Sequence, residues 1–493
     1  MLTMEQIYHS YHMGLEAIQN LFMEEHLKST VYIQQLEAEN KKLKDTVASL
    51  QMEIQKLQAT AKKNSSNSHK PPSTDGCKKP ITKSLRGKTG RKSGGQIGHK
   101  GYRLAPVETP NHIVTHPISL CSKCQSSLEQ EQTVSRKKRQ VFDLPSTKIE
   151  VTQYESEGKV CSNCLSFEEG PFLPHVTKSV QYGPRIQALV VYLINYQMLS
   201  YARTAAYIRD QFGHTISEGT LVHMNRVFGK RLDIFEEKAK SHLLQSRIVH
   251  FDETGIRVNR ERQWLHTMST KDINLQVVHT KRGKEAMNEI GVLPHFSGIA
   301  VHDGWASYFG YKQSHHILCN AHLLRDLQGI FEQTGETWAE NMRKLLCDAK
   351  QLKEKQEGKL TLWDLLEIEQ AYEAILQDGA ACHPPQPEKS TSPKRSKQSP
   401  SKNLWDRFVR NKDAILGFLT HADIPFDNNE AERDIRMAKV KQKVSGTFRT
   451  EEGARIFCLT RSFIQTAQKQ GKPVFHTIEQ LIREGTMDLA FIN

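Results

Sequence analysis

Four cysteines carry metal-ligand spacing. Cys121 and Cys124 sit in CSKC, Cys161 and Cys164 in CSNC, and 36 residues separate the two pairs. Each C-x-x-C can bring two sulfurs to one side of a tight turn, and two such turns complete a four-thiolate zinc site. In an intracellular chain, where thiols stay reduced, that reading outweighs a disulfide framework. The segment between the pairs, including TKIEVTQYE, alternates as strands do, so a structural Zn²⁺ on Cys121, Cys124, Cys161 and Cys164 is expected within a zinc ribbon over residues 104–180. Two redox-active C-x-x-C motifs are the alternative, but the βαβ surroundings of such motifs are missing.

A second chemistry starts in RIVHFDETGIRV, residues 247–258, where Ile248, His250 and Asp252 fall on one side of an alternating run and Val249 and Phe251 on the other. A lone carboxylate costs several kcal/mol to desolvate, so Asp252 must reach solvent, accept backbone hydrogen bonds or meet a cation. Asp303 closes a second strand-like run, SGIAVHD. Glu430 and Glu432 follow the helix-opening residues Asp427 to Asn429. Three carboxylates from two strands and a helix suit a pair of hard cations, which clamp the attacking and leaving oxygens of an in-line phosphoryl displacement. Taken alone, Glu430 and Glu432 read as a solvated helix face. Cys319 and His322 form a C-x-x-H pair at a strand end, where such residues more often pack than bind metal or DNA.

The chain that must position these groups has 493 residues, enough for roughly three or four domains. No run approaches the about 18 apolar residues of a membrane span, and Met1 opens a polar amphipathic stretch rather than a signal peptide. Lys and Arg number 68 against 55 Asp and Glu, a net charge of +13, and the excess is uneven: residues 61–103 hold twelve Lys or Arg and one acid, Asp75. Clustered cations suit nucleic-acid phosphates through counterion release, although a solvated tail carries the same composition.

Residues 1–60 should be a helical coiled coil. Leu36, Leu43, Leu50 and Leu57 recur every seven residues, with Ile33, Asn40, Val47 and Ile54 three positions before each. β-branched residues at a and Leu at d favour a parallel pair, with Asn40 fixing its register. Pro, Gly and Ser then break every period over 61–103, a flexible basic linker. Residues 181–245 read as helices resembling a helix-turn-helix, with a turn at Gly213, an N-cap at Ser217 and a helix through Phe228, where Arg226, Lys230 and Arg231 could meet phosphates. Three-helix packing without DNA is the competing reading.

From 246 the pattern turns α/β: strands at about 247–258, 263–269 and 273–280, a helix at 282–291, a strand in SGIAVHD, a helix in GWASYFG, a strand in HHILCN, and a helix from His322. That order is the one expected of an RNase H-like sheet. Asp303 and Glu432 lie 129 positions apart. A helical insertion over about 336–420, containing a Pro/Ser/Lys linker at 383–402, would fill the gap within a domain at 246–440, leaving 441–493 as a helical tail.

HFDETGIRV, HDGWASYF, CNAHLLRDL and IPFDNNEAERDIRMAKVKQKVSGTF, with GGQIGHKG and the cysteine pairs upstream, resemble the transposases of the insertion sequence 66 group, bacterial DDE enzymes. The resemblance implies an RNase H-like catalytic domain using Mg²⁺ or Mn²⁺, with Asp252 and Asp303 as its aspartates and the glutamate of Asn-Asn-x-Ala-Glu-Arg at Glu432. Lys439, two helical turns on, then shares the face of Glu432 and could meet a DNA phosphate. Members usually carry an Arg-Lys-Asn-Trp-like run after this helix, where this chain has Lys441-Gln442-Lys443-Val444; Lys441, Lys443 and Arg449 keep the stretch basic. The implied activity is cleavage and strand transfer at insertion-sequence ends. Its implied partners are double-stranded DNA, a second or further copy of the chain, and companion proteins of the same element, in the bacterial cytoplasm at the nucleoid. Two other readings stay open: a DNA-binding regulator with an inactive RNase H-like domain, and a nuclease without strand transfer.

Overall fold

The computed structural model describes residues 3–62, 67, 98, 104–145, 147–173, 175–383 and 398–485. The basic linker expected over 61–103 and the Pro/Ser/Lys linker over 383–402 lie largely outside the described residues. Two compact units interleave along the sequence. The first comprises Met1–Thr82, Leu244–Asp252 and Gly283–Glu432; the second comprises Lys83–Leu243, Glu253–Arg282 and Arg433–Asn493.

The first unit opens with helix Met4–Met13, closed by a capping box between Thr3 and Gln6, then turns at Gly14 (φ +107) into the helix Leu15–Lys62. The expected heptad residues lie on that long helix. Ile33, Leu36, Leu43, Val47, Leu50, Ile54 and Leu57 are all exposed, from 43% at Leu36 to 65% at Leu57, so the described residues do not cover their seam.

In the second unit the short antiparallel strands β1 (Gly158–Val160) and β2 (Phe167–Glu169) flank CSNC. Residues 184–196 form a helix that is not uniform. Pro184–Val191 is α-helical and Tyr192–Tyr196 is a π turn, where the buried Asn195 side chain donates to the Val191 carbonyl and to Asn225. Helix Tyr201–Phe212 ends on Gly213 at φ +66, a left-handed position that suits glycine, and helix Glu218–Arg231 begins on Ser217, whose hydroxyl accepts from the Thr220 N–H. The latter helix buries Leu221, Met224, Phe228 and Gly229. A Cβ on Gly229 would lie 2.7 Å from Ile456, so glycine permits the close approach of helix Glu451–Lys469. Arg231 differs from the expected phosphate role: its guanidinium donates to the carbonyls of Leu481 and Ile482, closing helix Val474–Glu484. Arg226 pairs with Glu452 at 3.2 Å.

Five strands form a mixed sheet: β3 (Ile248–Val258), β4 (Glu261–Ser269), β5 (Asn274–His279), β6 (Ile299–His302) and β7 (His315–Leu318), in the order β5-β4-β3-β6-β7. Asn259 and Arg260, both at positive φ, make the two-residue turn from β3 to β4, a geometry matched to the twist of a hairpin. In the second unit β4 and β5 are antiparallel, from Trp264↔His279 to Ser269↔Asn274. In the first unit β3 pairs parallel with β6 (Ile248↔Ile299 to His250↔Val301) and β6 parallel with β7 (Ile299↔His315 to His302↔Leu318). The strands expected at 247–258, 263–269 and 273–280 thus appear within two residues of those bounds. GWASYFG does not form the expected helix; it is a loop with a single 3-10 turn, Tyr308–Gly310, beginning at Gly304 with φ +88.

The insertion is helical: Thr337–Lys355, Leu362–Ala380, Pro400–Arg410 and Lys412–Leu416. Trp338, Met342, Tyr372, Phe408 and Phe418 build its core with Leu323 and Leu327 of helix Asn320–Thr334. Buried Lys353 donates to the carbonyls of Phe418, His421 and Ile424, replacing lost water with three acceptors.

Residues 441–493, expected as a tail, are instead integral to the second unit where described. Helix Glu451–Lys469 buries thirteen residues, among them Phe457 and Cys458 packed with Ile256, Val258 and Leu265. It also serves the outer edge of β5, because the hydroxyls of Ser462 and Thr466 accept from the backbone N–H groups of Gln276 and Asn274. Buried Asp434, on helix Asn429–Ser445, is held by Ser269, Asn274 and Lys469.

Candidate active site

Register sets the site. The β3–β6 and β6–β7 pairings keep a constant offset, so continuing each past its last paired residue aligns Asp252, inside β3, with Asp303 and Cys319, which directly follow the last residues of β6 and β7. The Cys319 N–H donates to the His302 carbonyl at 2.8 Å, which carries the β6–β7 ladder to the residue before helix Asn320–Thr334. Adjacent strands lie about 4.8 Å apart, a separation two carboxylates tolerate when something positive joins them.

Asp303 is aimed by the turn that follows it. The Trp305 N–H donates to Asp303 Oδ1 at 2.9 Å, and Gly304 reverses the chain at φ +88 with Leu318 3.3 Å from where its Cβ would stand. Beneath lies a relay of neutral imidazoles. The Gly304 N–H donates to His302 Nδ1, so Nε2 carries the proton and donates to His316 Nδ1 at 3.0 Å; His316 Nε2 in turn donates to the Tyr311 carbonyl. Burial, followed by the neighbouring His316, holds His302 well below the usual histidine range, and burial also lowers His316. His302 stacks on Tyr308, with centroids 4.4 Å apart.

Glu432 reaches the row through Asn428. The Asn428 side chain is buried, donates to the Phe251 carbonyl at 2.8 Å and lies 2.8 Å from His250 Nδ1, while its backbone N–H donates to Cys319 Sγ at 3.2 Å. Asp427 caps the helix through the Asn429 N–H, and the Glu432 N–H donates to the Asn428 carbonyl. Glu432 Oε1 then sits 3.5 Å from His322 Nδ1 and 3.9 Å from Cys319 Sγ. Burial, with Glu432 second, pushes the Cys319 thiol up to about 12.

Among the described residues, one group of three or more potential ligands has its donor atoms within 4.8 Å of one another: Cys319, His322 and Glu432. Register places Asp252 opposite Asp303, and Glu432 lies against Cys319 and His322, but the three carboxylates do not make such a group. Their all-oxygen donor set fits hard divalent cations. Glu253, the other half of the acidic pair, is buried and bound by Arg282 through two hydrogen bonds, with Arg282 and Arg262 over the Trp264 ring. Lys439, expected to meet a DNA phosphate, donates to the Gly255 carbonyl, and Lys441 lies 5.8 Å from the Phe457 ring centroid. His250, Cys319, His322 and Asn428 support the site without being legible as a set in sequence; the signal that pointed to them was the C-x-x-H spacing and the helix-opening Asp-Asn-Asn.

The two cysteine pairs share one local geometry. The Cys121 N–H donates to the Ser126 carbonyl and the Gln125 N–H to the Cys121 carbonyl, each at 2.9 Å; Cys161, Leu165 and Ser166 repeat both bonds at 2.9 Å. Gln125 and Leu165 both take φ 61. Hydrogen bonding, led by the Ser126 and Ser166 hydroxyls, lowers Cys124 and Cys164 to about 7. The four sulfurs are not gathered at one point in this structure.

Residues 179–456, more than half of the chain, match the family model described as Transposase IS66 family. Residues 23–105 match a family of unknown function. No curated protein matches the chain. Among the described residues, no helix is long and apolar enough to cross a membrane. With the family match spanning the five-stranded sheet, Asp252, Asp303 and the helix of Glu432, the chain belongs to the IS66 family of transposases.

Proposed function

We propose that this protein cleaves and joins DNA at the ends of an insertion sequence, as a DDE transposase with an RNase H-like catalytic domain. Asp252, Asp303 and Glu432 are its catalytic carboxylates. The observation that supports this reading is the register row: Asp252 of β3 aligned with Asp303 after β6, and Glu432 held against Cys319, the next position of the same row, on the helix that Asn428 ties to the Phe251 carbonyl. Mg²⁺ or Mn²⁺, when bound, would supply the charge that steadies the attacking and leaving oxygens of the phosphodiester. Asp252 and Asp303 are fixed by sheet pairing and by the Gly304 turn, so they hold their oxygens still. Glu432, in the first turn of helix Asn429–Ser445, would complete the ligand set.

The rest of the chain serves DNA capture. Cys121, Cys124, Cys161 and Cys164 hold a structural Zn²⁺ in a zinc ribbon, a role supported by the matching knuckle geometry and acidified thiols. The exposed heptad seam on Leu15–Lys62 pairs with a second copy in parallel, placing two catalytic domains on paired ends. The basic stretch 61–103 and the helix-turn-helix-like segment, through Lys230 and Arg226, meet phosphates. Companion proteins of the same element complete the assembly in the bacterial cytoplasm.

The test uses isosteric variants of the full chain. Asp252→Asn, Asp303→Asn and Glu432→Gln should each lower Mg²⁺-dependent cleavage and joining of element-end DNA by several orders of magnitude while DNA binding persists. Glu430→Gln should stay within roughly tenfold of the parent, because Glu430 is not part of the ligand cluster at Cys319. If all four variants cut and join normally, a DNA-binding regulator becomes the better account; cleavage without joining would identify a nuclease.

A further inference from the structure

We infer that Cys319, His322 and Glu432 form a second cation site, for a thiophilic divalent ion such as Zn²⁺, which takes Glu432 Oε1 as a ligand shared with the catalytic carboxylate row. The sharing rests on the proposed role of Glu432; the site itself does not.

The argument is geometric. Ligands at about 2.0–2.3 Å from a tetrahedral zinc stand about 3.3–3.7 Å from one another. His322 Nδ1 and Glu432 Oε1 are 3.5 Å apart, Cys319 Sγ and Glu432 Oε1 3.9 Å, and all three donor atoms lie within 4.8 Å of one another, so a modest contraction closes the cluster on an ion. Two of the ligands are held by elements fixed for other reasons. Cys319 ends the β7 ladder and precedes helix Asn320–Thr334, and His322 lies in that helix's first turn, with its N–H donating to the Cys319 carbonyl. The Asn428 N–H donates to Sγ, the contact that outer partners make to a metal-bound thiolate. One nitrogen, one sulfur and one oxygen form a donor set that hard Mg²⁺ disfavours and zinc accepts, so this site and the all-oxygen set of Asp252, Asp303 and Glu432 select different ions. Three protein ligands leave a fourth position open, unlike the closed four-thiolate arrangement proposed for the knuckles.

Full-length protein is titrated with Co²⁺ in the presence of Mg²⁺, reading bound ion per chain and thiolate-to-cobalt charge-transfer absorption. The parent should bind one ion beyond those held by the four knuckle cysteines, with absorption from a single sulfur. Cys319→Ser should lose that sulfur absorption, and His322→Ala and Glu432→Gln should each weaken the extra ion by at least about tenfold, whereas Asp252→Asn should keep it. The partly exposed His322 provides a variant that spares the buried thiol. Parent-like titration by both Cys319→Ser and His322→Ala, or an extra ion without sulfur absorption, overturns the site. Should Asp252→Asn keep both the extra ion and full cleavage, the catalytic reading fails and the cation site stands.

Discussion

Cys124 and Cys319 show how differently one element is handled in two regions of this protein. In the knuckles Cys124 and Cys164 are exposed, and serine hydroxyls and backbone N–H groups lower these two to about 7. At the strand ends Cys319 is buried beside a carboxylate and is pushed up to about 12. Each knuckle is complete within six residues, because its hydrogen bonds run from Cys121 to Ser126 and from Cys161 to Ser166. The strand-end cluster draws on residues 250–252, 303, 319–322 and 428–432, which meet only after the sheet and the helix of Glu432 have formed. Local geometry makes a reactive sulfur; tertiary burial makes an inert one until a cation arrives.

The largest expected contrast is chemical. With metal removed, at pH 7 about half of Cys124 and Cys164 should be thiolate and about one part in 10⁵ of Cys319. Iodoacetamide labelling of the native protein followed by peptide mass spectrometry should therefore modify the knuckles at least about a thousandfold faster. Comparable rates would erase the distinction between the two regions.

Acid should strike the strand ends next. His302 is depressed in the folded state, so its contribution is complete above the ordinary histidine value of 6.5 and is lost as pH falls from there towards its folded value. Urea unfolding should show stability falling by up to about 1.4 kcal/mol per pH unit for this one group below pH 6.5. The slope should flatten in His302→Asn; an unchanged slope would place the acid sensitivity elsewhere. His266, lowered to about 4 mainly by burial, adds a second loss of the same sign in the second unit as pH falls from 6.5 towards about 4.

The smallest contrast concerns backbone. Gly304→Ala puts a side chain at φ +88 and 3.3 Å from Leu318, and should cost about 1–3 kcal/mol in denaturant unfolding. Gln125→Gly relieves a left-handed position in a knuckle and should shift stability by less than about 1 kcal/mol. A reversal of these magnitudes would mean that the knuckle turn, not the strand-end turn, is the constrained one.

What was legible followed the same division. Ser217, Gly213 and Asp427 announced helix ends because caps act within a few residues, and β3 announced itself by alternation. Asp252 drew notice because a carboxylate in such a run demands a reason. The loop of GWASYFG was not, since its aromatic residues look helical until Gly304 turns the chain and Tyr308 stacks on His302. Nor was the end of helix Pro184–Val191, where Asn195 bonds within the core and the helix widens to a π turn. Arg231 and Lys439 looked like phosphate ligands because sequence records charge but not the carbonyls that engage it. Glu432 was singled out by motif, while its contacts to His322 and Cys319 required the fold.

The hydroxyls that helix Glu451–Lys469 offers to β5 have a consequence for decayed copies of such an element. Ser462 and Thr466 occupy the outward N–H groups of Gln276 and Asn274, which would otherwise form an open strand edge. A reading frame interrupted before Glu451 would yield a product whose sheet ends in unsatisfied donors, ready to recruit strands from other molecules. Premature termination would then produce an aggregating polypeptide rather than a soluble DNA-binding fragment, and degenerate copies would tend to remove themselves from competition with intact ones.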